Sequence, residues 1–303
     1  MHKRLVSHAL IAWGCSLLAS CASVEQQLLQ TAGNAIALQG GASEDDLEIA
    51  QHASAFYIKL SESMLSAAPA HLPLALSTTS TLTQYAYAFV STPADQIESQ
   101  NAKQAYALRK RAALLYARAK SHGLKALELQ QPGLIAALAA GSAPPTPALN
   151  HQPHLTLKPE LTGLAYWSAA SWAGEISLSK DSPEVVADLP QVIALASLAY
   201  AAQPQYGDGA LASLMGTLEM AKAGGNKKKA LDYFDLALEI SQRNDPAALV
   251  SKAENYALAM SKPELFESLL KEALACTPHK NDVATQVMRT RARWLLEHLE
   301  DYF

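Results

Sequence analysis

The sequence predicts an all-α fold of stacked helical hairpins, and three observations carry that prediction. Apolar and alanine positions recur three and four residues apart along almost everything after Glu44, while runs alternating every second residue are nearly absent. Helix starts are marked by Ser182-Pro183-Glu184 and Asp245-Pro246, each a capping side chain ahead of a proline suited to the first helical position. A fixed spacing of small and large apolar residues recurs through the second half with a near-constant period.

Taken in chain order, the first element reads as an export signal. His2-Lys3-Arg4 precedes an apolar run from Leu5 to Leu18, and polar Ser23 and Glu25-Gln26-Gln27 come after it. The run is shorter than the ~20 residues that a membrane-spanning helix needs, which favours a secretory leader. Leu18-Ala19-Ser20-Cys21 resembles the bacterial lipobox, so cleavage before Cys21 is expected, with Cys21 as the lipid-bearing first residue. Cys15 fits that pattern poorly because bulky Trp13 sits beside the would-be cut. Each buried acyl CH₂ contributes ~0.8 kcal/mol, so several chains on one cysteine anchor firmly. Ala22, standing where an aspartate would favour the inner membrane, points to the outer membrane and a periplasm-facing body. The domain plan is therefore a signal peptide at 1–20, a lipid-anchored segment at 21–42 and a single helical domain at 43–303.

Within that domain, Ser43 with Asp46 three residues on reads as a capping box after Gly40-Gly41. Pro144, Pro145, Pro147, Pro153 and Pro159 mark 141–159 as a connector that no continuous helix can cross. Lys227-Lys228-Lys229, the one basic run, reads as a solvated helix start. No apolar run after the leader approaches membrane-spanning length by this reading.

The recurrent spacing is that of the second helix of a tetratricopeptide unit: a small residue, a larger apolar one four later, a small one three after that. Val192, Ala196 and Ala199, followed by Pro204, show it; Ala230, Phe234 and Ala237 repeat it, as do Phe266, Leu270 and Ala273 with Pro278. Ala112, Tyr116 and Ala119, and Tyr57, Ser61 and Met64, are weaker copies upstream. Small residues let paired helices approach closely and the larger one fills the gap to the next pair, so the expectation is a tetratricopeptide-like solenoid.

Composition narrows function. The net charge is −4; of 24 Lys and Arg, Lys3 and Arg4 fall in the leader, leaving 22 against 28 acidic residues, a balance that gives no support to nucleic-acid binding. After processing, Cys276 is the one remaining thiol, so no intrachain disulfide can form. No nucleophile elbow, phosphate loop, dinucleotide fingerprint or zinc-ligand spacing appears, so neither catalysis nor a metal or other cofactor is expected. His151 and His154 sit in the proline-rich connector without a helical frame, and Glu44, Asp45 and Asp46 suit a helix start better than acid–base chemistry.

Three segments stand out: TQYAYAFV from Thr83 to Val90, YWSAASWAGEISLSKD from Tyr166 to Asp181 with Asp188-Leu189-Pro190 beyond it, and RARWLL from Arg291 to Leu296. With the lipobox and the helix order, they resemble the T component of tetratricopeptide-associated tripartite ATP-independent periplasmic (TRAP) transporters, across essentially the whole mature chain. The resemblance implies a non-catalytic, all-helical lipoprotein that forms a homotrimer and associates with the extracytoplasmic solute-binding subunit of a transporter. Read from the residues alone, Leu82, Tyr85, Ala86 and Phe89 share a helical face suited to a core, while Tyr87 points elsewhere. Ala169, Ala170, Ala173 and Gly174 form a small-residue surface flanked by Trp167 and Trp172. Two readings stay open for Tyr85, Tyr87, Tyr166, Trp167 and Trp172: packed core, or the lining of a ligand cleft or pore. Arg291, Arg293 and Trp294 either contact another subunit or cap the stack. The rival function is a helical-repeat scaffold lipoprotein that assembles other envelope components.

Overall fold

The computed structural model describes residues 27, 29–38, 44, 46–141, 155–278 and 282–303. The leader, Cys21, Ser43, His151, His154 and most of the proline-rich connector lie outside the described residues. Helices succeed one another as α1 (29–38), α2 (Leu47–Ala67), α3 (Leu72–Ala86), α4 (Thr92–Ile97), α5 (Ala102–Gln130), α6 (Leu134–Gly141) and α7 (Thr162–Leu178). The second half continues with α8 (Pro183–Val186), α9 (Leu189–Ala202), α10 (Ala210–Ala221), α11 (Lys227–Ile240), α12 (Pro246–Lys252), α13 (Pro263–Ala275) and α14 (Val283–Glu297). The protein is all-α, and among the described residues there is no strand.

Local chemistry explains where the helices begin. Asp46, rather than Ser43, caps α2: its Oδ1 accepts from the N–H groups of Glu48 and Ile49 at 2.8 and 3.1 Å. One carboxylate thus satisfies two orphan donors and also complements the helix dipole. Asn101, Asn226, Asp245 and Asp282 cap α5, α11, α12 and α14 in the same way. Two buried hydroxyls in α3 are satisfied within their own helix, Thr78 donating to the Leu74 carbonyl and Thr83 to that of Thr79, both at 2.7 Å, whereas the Thr79 hydroxyl has no partner among the described residues. The turn after α9 places Gly207, Asp208 and Gly209 in succession at positive φ, and a Cβ on Gly209 would lie 2.6 Å from the Ala237 carbonyl oxygen.

Helices adjacent in the chain are mostly adjacent in space: α2 on α3, α3 on α5, α5 on α7, α7 on α9, α10 on α11, α12 on α13 and α13 on α14. The nine positions read as a recurring signature on α9, α11 and α13 are all fully buried. The ends of the series do not stay apart, however. The α14 helix reaches back to α2, and Gln286 donates to the Glu44 carbonyl at 3.2 Å.

The tightest crossing is that of α5 and α7. A Cβ on Gly123 would stand 2.0 Å from Ser168 Oγ and 3.2 Å from Thr79 Cγ2, so α3, α5 and α7 converge there. One on Gly174 would stand 2.9 Å from the buried Tyr116 ring. Alongside, Lys120 pairs with Glu175 at 2.5 Å and lies over the Trp172 ring.

One expectation about apolar length needs correcting. Pro183–Ala202 is long and apolar enough to cross a membrane by composition, with mean hydropathy 1.6. In the fold it is two helices broken at Ala187 and Asp188. The longer, α9, rises about 21 Å against a ~30 Å hydrocarbon core. Its Val192, Leu195, Ala196 and Ala199 are buried in a cluster shared with α7 and α10.

The crossing yields a stability test. Gly123→Ala gains helix propensity of about 1 kcal/mol, yet its Cβ overlaps Ser168. The expected net effect is destabilisation by about 1–3 kcal/mol in urea unfolding. Adding Ser168→Gly vacates the overlapping atoms and recovers most of that loss; no recovery would mean that the close approach is not what Gly123 provides.

Candidate functional site

Among the described residues two π-helical turns interrupt the α-helices, and both lie beside the same buried group. A π-helical turn at Tyr87–Ser91 joins α3 to α4, the Thr92 N–H donating to the Tyr87 carbonyl; a second at Ala253–Ala257 extends α12, Leu258 N–H donating to the Ala253 carbonyl. Each inserts a residue and rotates the turns C-terminal to it. In the first this puts Val90 rather than Phe89 in register with buried Leu82 and Ala86, so Phe89 is left half-buried. Turns of this kind are frequent at functional sites.

Between them lies Arg291 of α14. Its Nε and Nη2 donate to Glu254 Oε1 at 3.0 and 2.7 Å, and Nη1 lies 3.1 Å from Asp95 Oδ2. Asp95 is 3.0 Å from Arg109 of α5, whose guanidinium also forks onto Glu98. An unbroken line of alternating charge therefore ties α12, α14, α4 and α5. Burial works against the Arg291 charge, and Glu254, Tyr87 and Asp95 outweigh it, holding the guanidinium above its ordinary range. Burial pushes the Glu254 carboxyl up, with Arg291 opposing. Glu254 nevertheless keeps 23% of its side-chain surface accessible, against 10% for Arg291. The Tyr87 hydroxyl donates to Met288 Sδ at 3.9 Å, a weak acceptor, and burial, reinforced by Glu254, holds the phenol far above its usual range.

A second aromatic group sits on α7. Tyr166 meets Trp167 edge-on at 4.9 Å and Tyr206 at 5.4 Å, and Gly163 makes room for the Tyr206 hydroxyl. Burial raises the Tyr166 phenol, with Tyr206 and then Asp245 adding to it. Asp245 opens α12 and Glu254 lies nine residues on, about 13 Å along a helix. The start of α12 and the π-turn after it thus lie within electrostatic reach of Tyr166 and Tyr87 respectively. Beside Tyr206 the surface dips into an open depression of about 470 Å³ lined by Gln203, Pro204 and Gln205.

The residues singled out from the sequence separate accordingly. Tyr87 and Tyr166 are half-buried, with Trp167 packed on Tyr166. Tyr85 is buried with Tyr116, Ala112 and Val90, its ring 5.5 Å from Phe89. Trp172 lies apart, buried on the other side of α7, its indole N–H donating to Asp188 Oδ2 at 3.1 Å. Arg291 commits its guanidinium within its own chain, Trp294 packs against it at 4.8 Å, and Arg293 is exposed.

Sequence reasoning missed Glu254 and Asp95, because nothing local marks a carboxylate whose partner is 37 or 196 residues away. A signal did exist for Asp245. Asp208, Asp245 and Asp282 recur at intervals of 37, and Asp245 sits within electrostatic reach of both others, which help burial to raise its carboxyl. Among the described residues no group of His, Cys, Asp and Glu is arranged to hold a metal ion.

Arg291→Met is expected to lower stability by about 3–5 kcal/mol, because Glu254 and Asp95 would be left without their shared counter-charge. Adding Glu254→Gln should return part of the loss. A carboxyl held above its ordinary value is proton-bound more tightly in the folded chain, so its contribution is most favourable at low pH and falls as pH rises through the folded value. Arg291→Met should therefore gain stability as the pH drops from 7 towards the carboxylate range, and the double variant should gain less. Unfolding curves at several pH values check both statements.

The sequence model describing the TRAP transporter T-component matches residues 43–303. An uncharacterized protein of Treponema pallidum (strain Nichols) is 26% identical over 274 residues, covering 86% of this chain and 81% of that relative. The family match spans all the helices that build the two aromatic groups and the Arg291 line of charge, and on that ground the chain belongs to the TRAP transporter T-component family.

Proposed function

We propose that the chain is a non-catalytic lipoprotein subunit of a TRAP transport system, held on the periplasmic face of the envelope, in the outer membrane, by lipid on Cys21. It docks the extracytoplasmic solute-binding subunit, assists ligand transfer and works as a homotrimer. The observation that carries this reading is the family match across residues 43–303. The lipobox at Leu18 to Cys21 supports the anchor. The aromatic pair Tyr166 and Trp167, together with a partly accessible carboxylate at Glu254, supports the ligand-handling part.

Tagged full-length protein captured from gently solubilised native envelopes is expected to bring down a solute-binding subunit in near-stoichiometric amount, identified by mass spectrometry. Recovery of assembly or cell-wall machinery, with no solute-binding protein even after cross-linking, would overturn this reading in favour of the scaffold. Cys21→Ser should release the protein from the membrane fraction without altering its helical content.

A further inference from the structure

We propose that the outward face of α5 lies on the anionic lipid surface that holds the Cys21 anchor. This inference rests on the anchor reading above and gives the helical body an orientation. Between Ala102 and Leu127 the helix carries seven Lys and Arg and no Asp or Glu, in a chain where acidic residues outnumber basic ones. Ala105, Ala112, Tyr116, Ala119 and Gly123 form its buried side. Helical spacing puts Lys103, Lys110, Leu114, Arg118, Lys125 and Leu129 on the opposite side, all of them exposed. The cations divide with the faces. Arg109 and Lys120, which lie off this stripe, are met by Asp95 with Glu98 and by Glu175. Lys103, Arg111 and Lys125 have no ion pair among the described residues.

Charge asks for an anionic partner, and the course of the chain selects the lipid. His71 Nε2 lies 3.3 Å from the Gln30 carbonyl, and Gln130 donates to the Ala70 carbonyl at 2.8 Å. The start of α1, the α2–α3 turn and the end of α5 therefore meet. Cys21 stands nine residues before Gln30, a reach of about 30 Å at most. The anchoring bilayer is thus within that reach of the end of α5 that carries Lys125 and Leu129. Leu114 and Leu129, 73% and 54% exposed, stand among the cations, where apolar side chains can enter the acyl boundary. Beside them Lys59, Arg118 and His122 share the single carboxylate of Glu62, which leaves positive charge in excess. A basic face next to a lipid anchor supplies the second of the two signals that stable membrane contact uses.

The test uses the full-length lipoprotein, purified in detergent and transferred to phosphatidylcholine vesicles with or without phosphatidylglycerol. A fluorophore on Leu114→Cys or Leu129→Cys, in a Cys276→Ser background, is read against a nitroxide quencher on the lipid headgroups. Lys271→Cys, at an exposed position on α13, is the reference. Both α5 probes are expected to be quenched several-fold more strongly with phosphatidylglycerol than without it, and the reference probe is not. About 0.5 M salt should remove the difference. Lys110→Glu, Arg111→Glu and Lys125→Glu together should abolish the quenching without altering flotation or helical content. No quenching, equal quenching in both lipids or stronger quenching of the reference would each overturn the proposal. So would α5 probes already shielded in detergent, as a second copy would shield them, or shielded only when a solute-binding subunit is added. Flotation of the unaltered chain with the vesicles separates the two failures. Flotation without quenching removes this face and leaves the anchor standing; no flotation removes both.

Discussion

Gly123 and Gly174 set how closely α5 and α7 approach, and most other packings take their positions from that crossing. Helix α7 also carries α9 on another side and touches α3 and α10, so a change in its distance from α5 is felt by these three helices as well. The space is filled by the groups opposite the glycines, Ser168 and Thr79 at one, the Tyr116 ring at the other. Most polar groups at the crossing are paired in place, Lys120 with Glu175 and the Trp172 indole with Asp188, while the buried Thr79 hydroxyl is left without a partner among the described residues. A buried polar group left unmet there would weaken the contact by roughly 1–3 kcal/mol, so the pairing matters as much as the close approach.

The helices and their burying faces are legible in the sequence because both are local. Period and caps are written within a few residues, and Ala196, Phe234 and Leu270 are buried where the spacing puts them. Asp46 caps α2 with its own carboxylate, while Ser43 of the expected capping box lies outside the described residues. The apolar stretch from Pro183 to Ala202 is also easy to pass over, since Glu184, Asp188 and Gln191 interrupt it. The site is less legible. The π-turns shift the register by one residue and have no sequence mark, so helical spacing puts Phe89 where Val90 lies.

The grouping of aromatic residues shows the same division. Tyr166 and Trp167 are neighbours in the chain and neighbours in space. Trp172 comes five residues later, which on a helix turns it to the other side, and the structure uses it to seat the α8–α9 corner. Proximity in sequence suggests one aromatic wall where the helix makes two environments. Arg291 illustrates the complementary case: its partners on α4 and on the π-turn after α12 can be found only once the ends of the chain have been brought together.

That meeting of the ends separates this molecule from an open array of repeats. In an open array each unit answers only to its neighbours, so units can be gained or lost at the ends with modest effect. Here Arg291 must reach Asp95 and Gln286 must reach Glu44 across nearly the whole chain. An added hairpin would carry α14 past those partners, and a missing one would leave it short. The count of hairpins is thus constrained by a charge pair that closes the array, so gaining or losing a unit costs the Arg291–Asp95 contact as well as a neighbour interface.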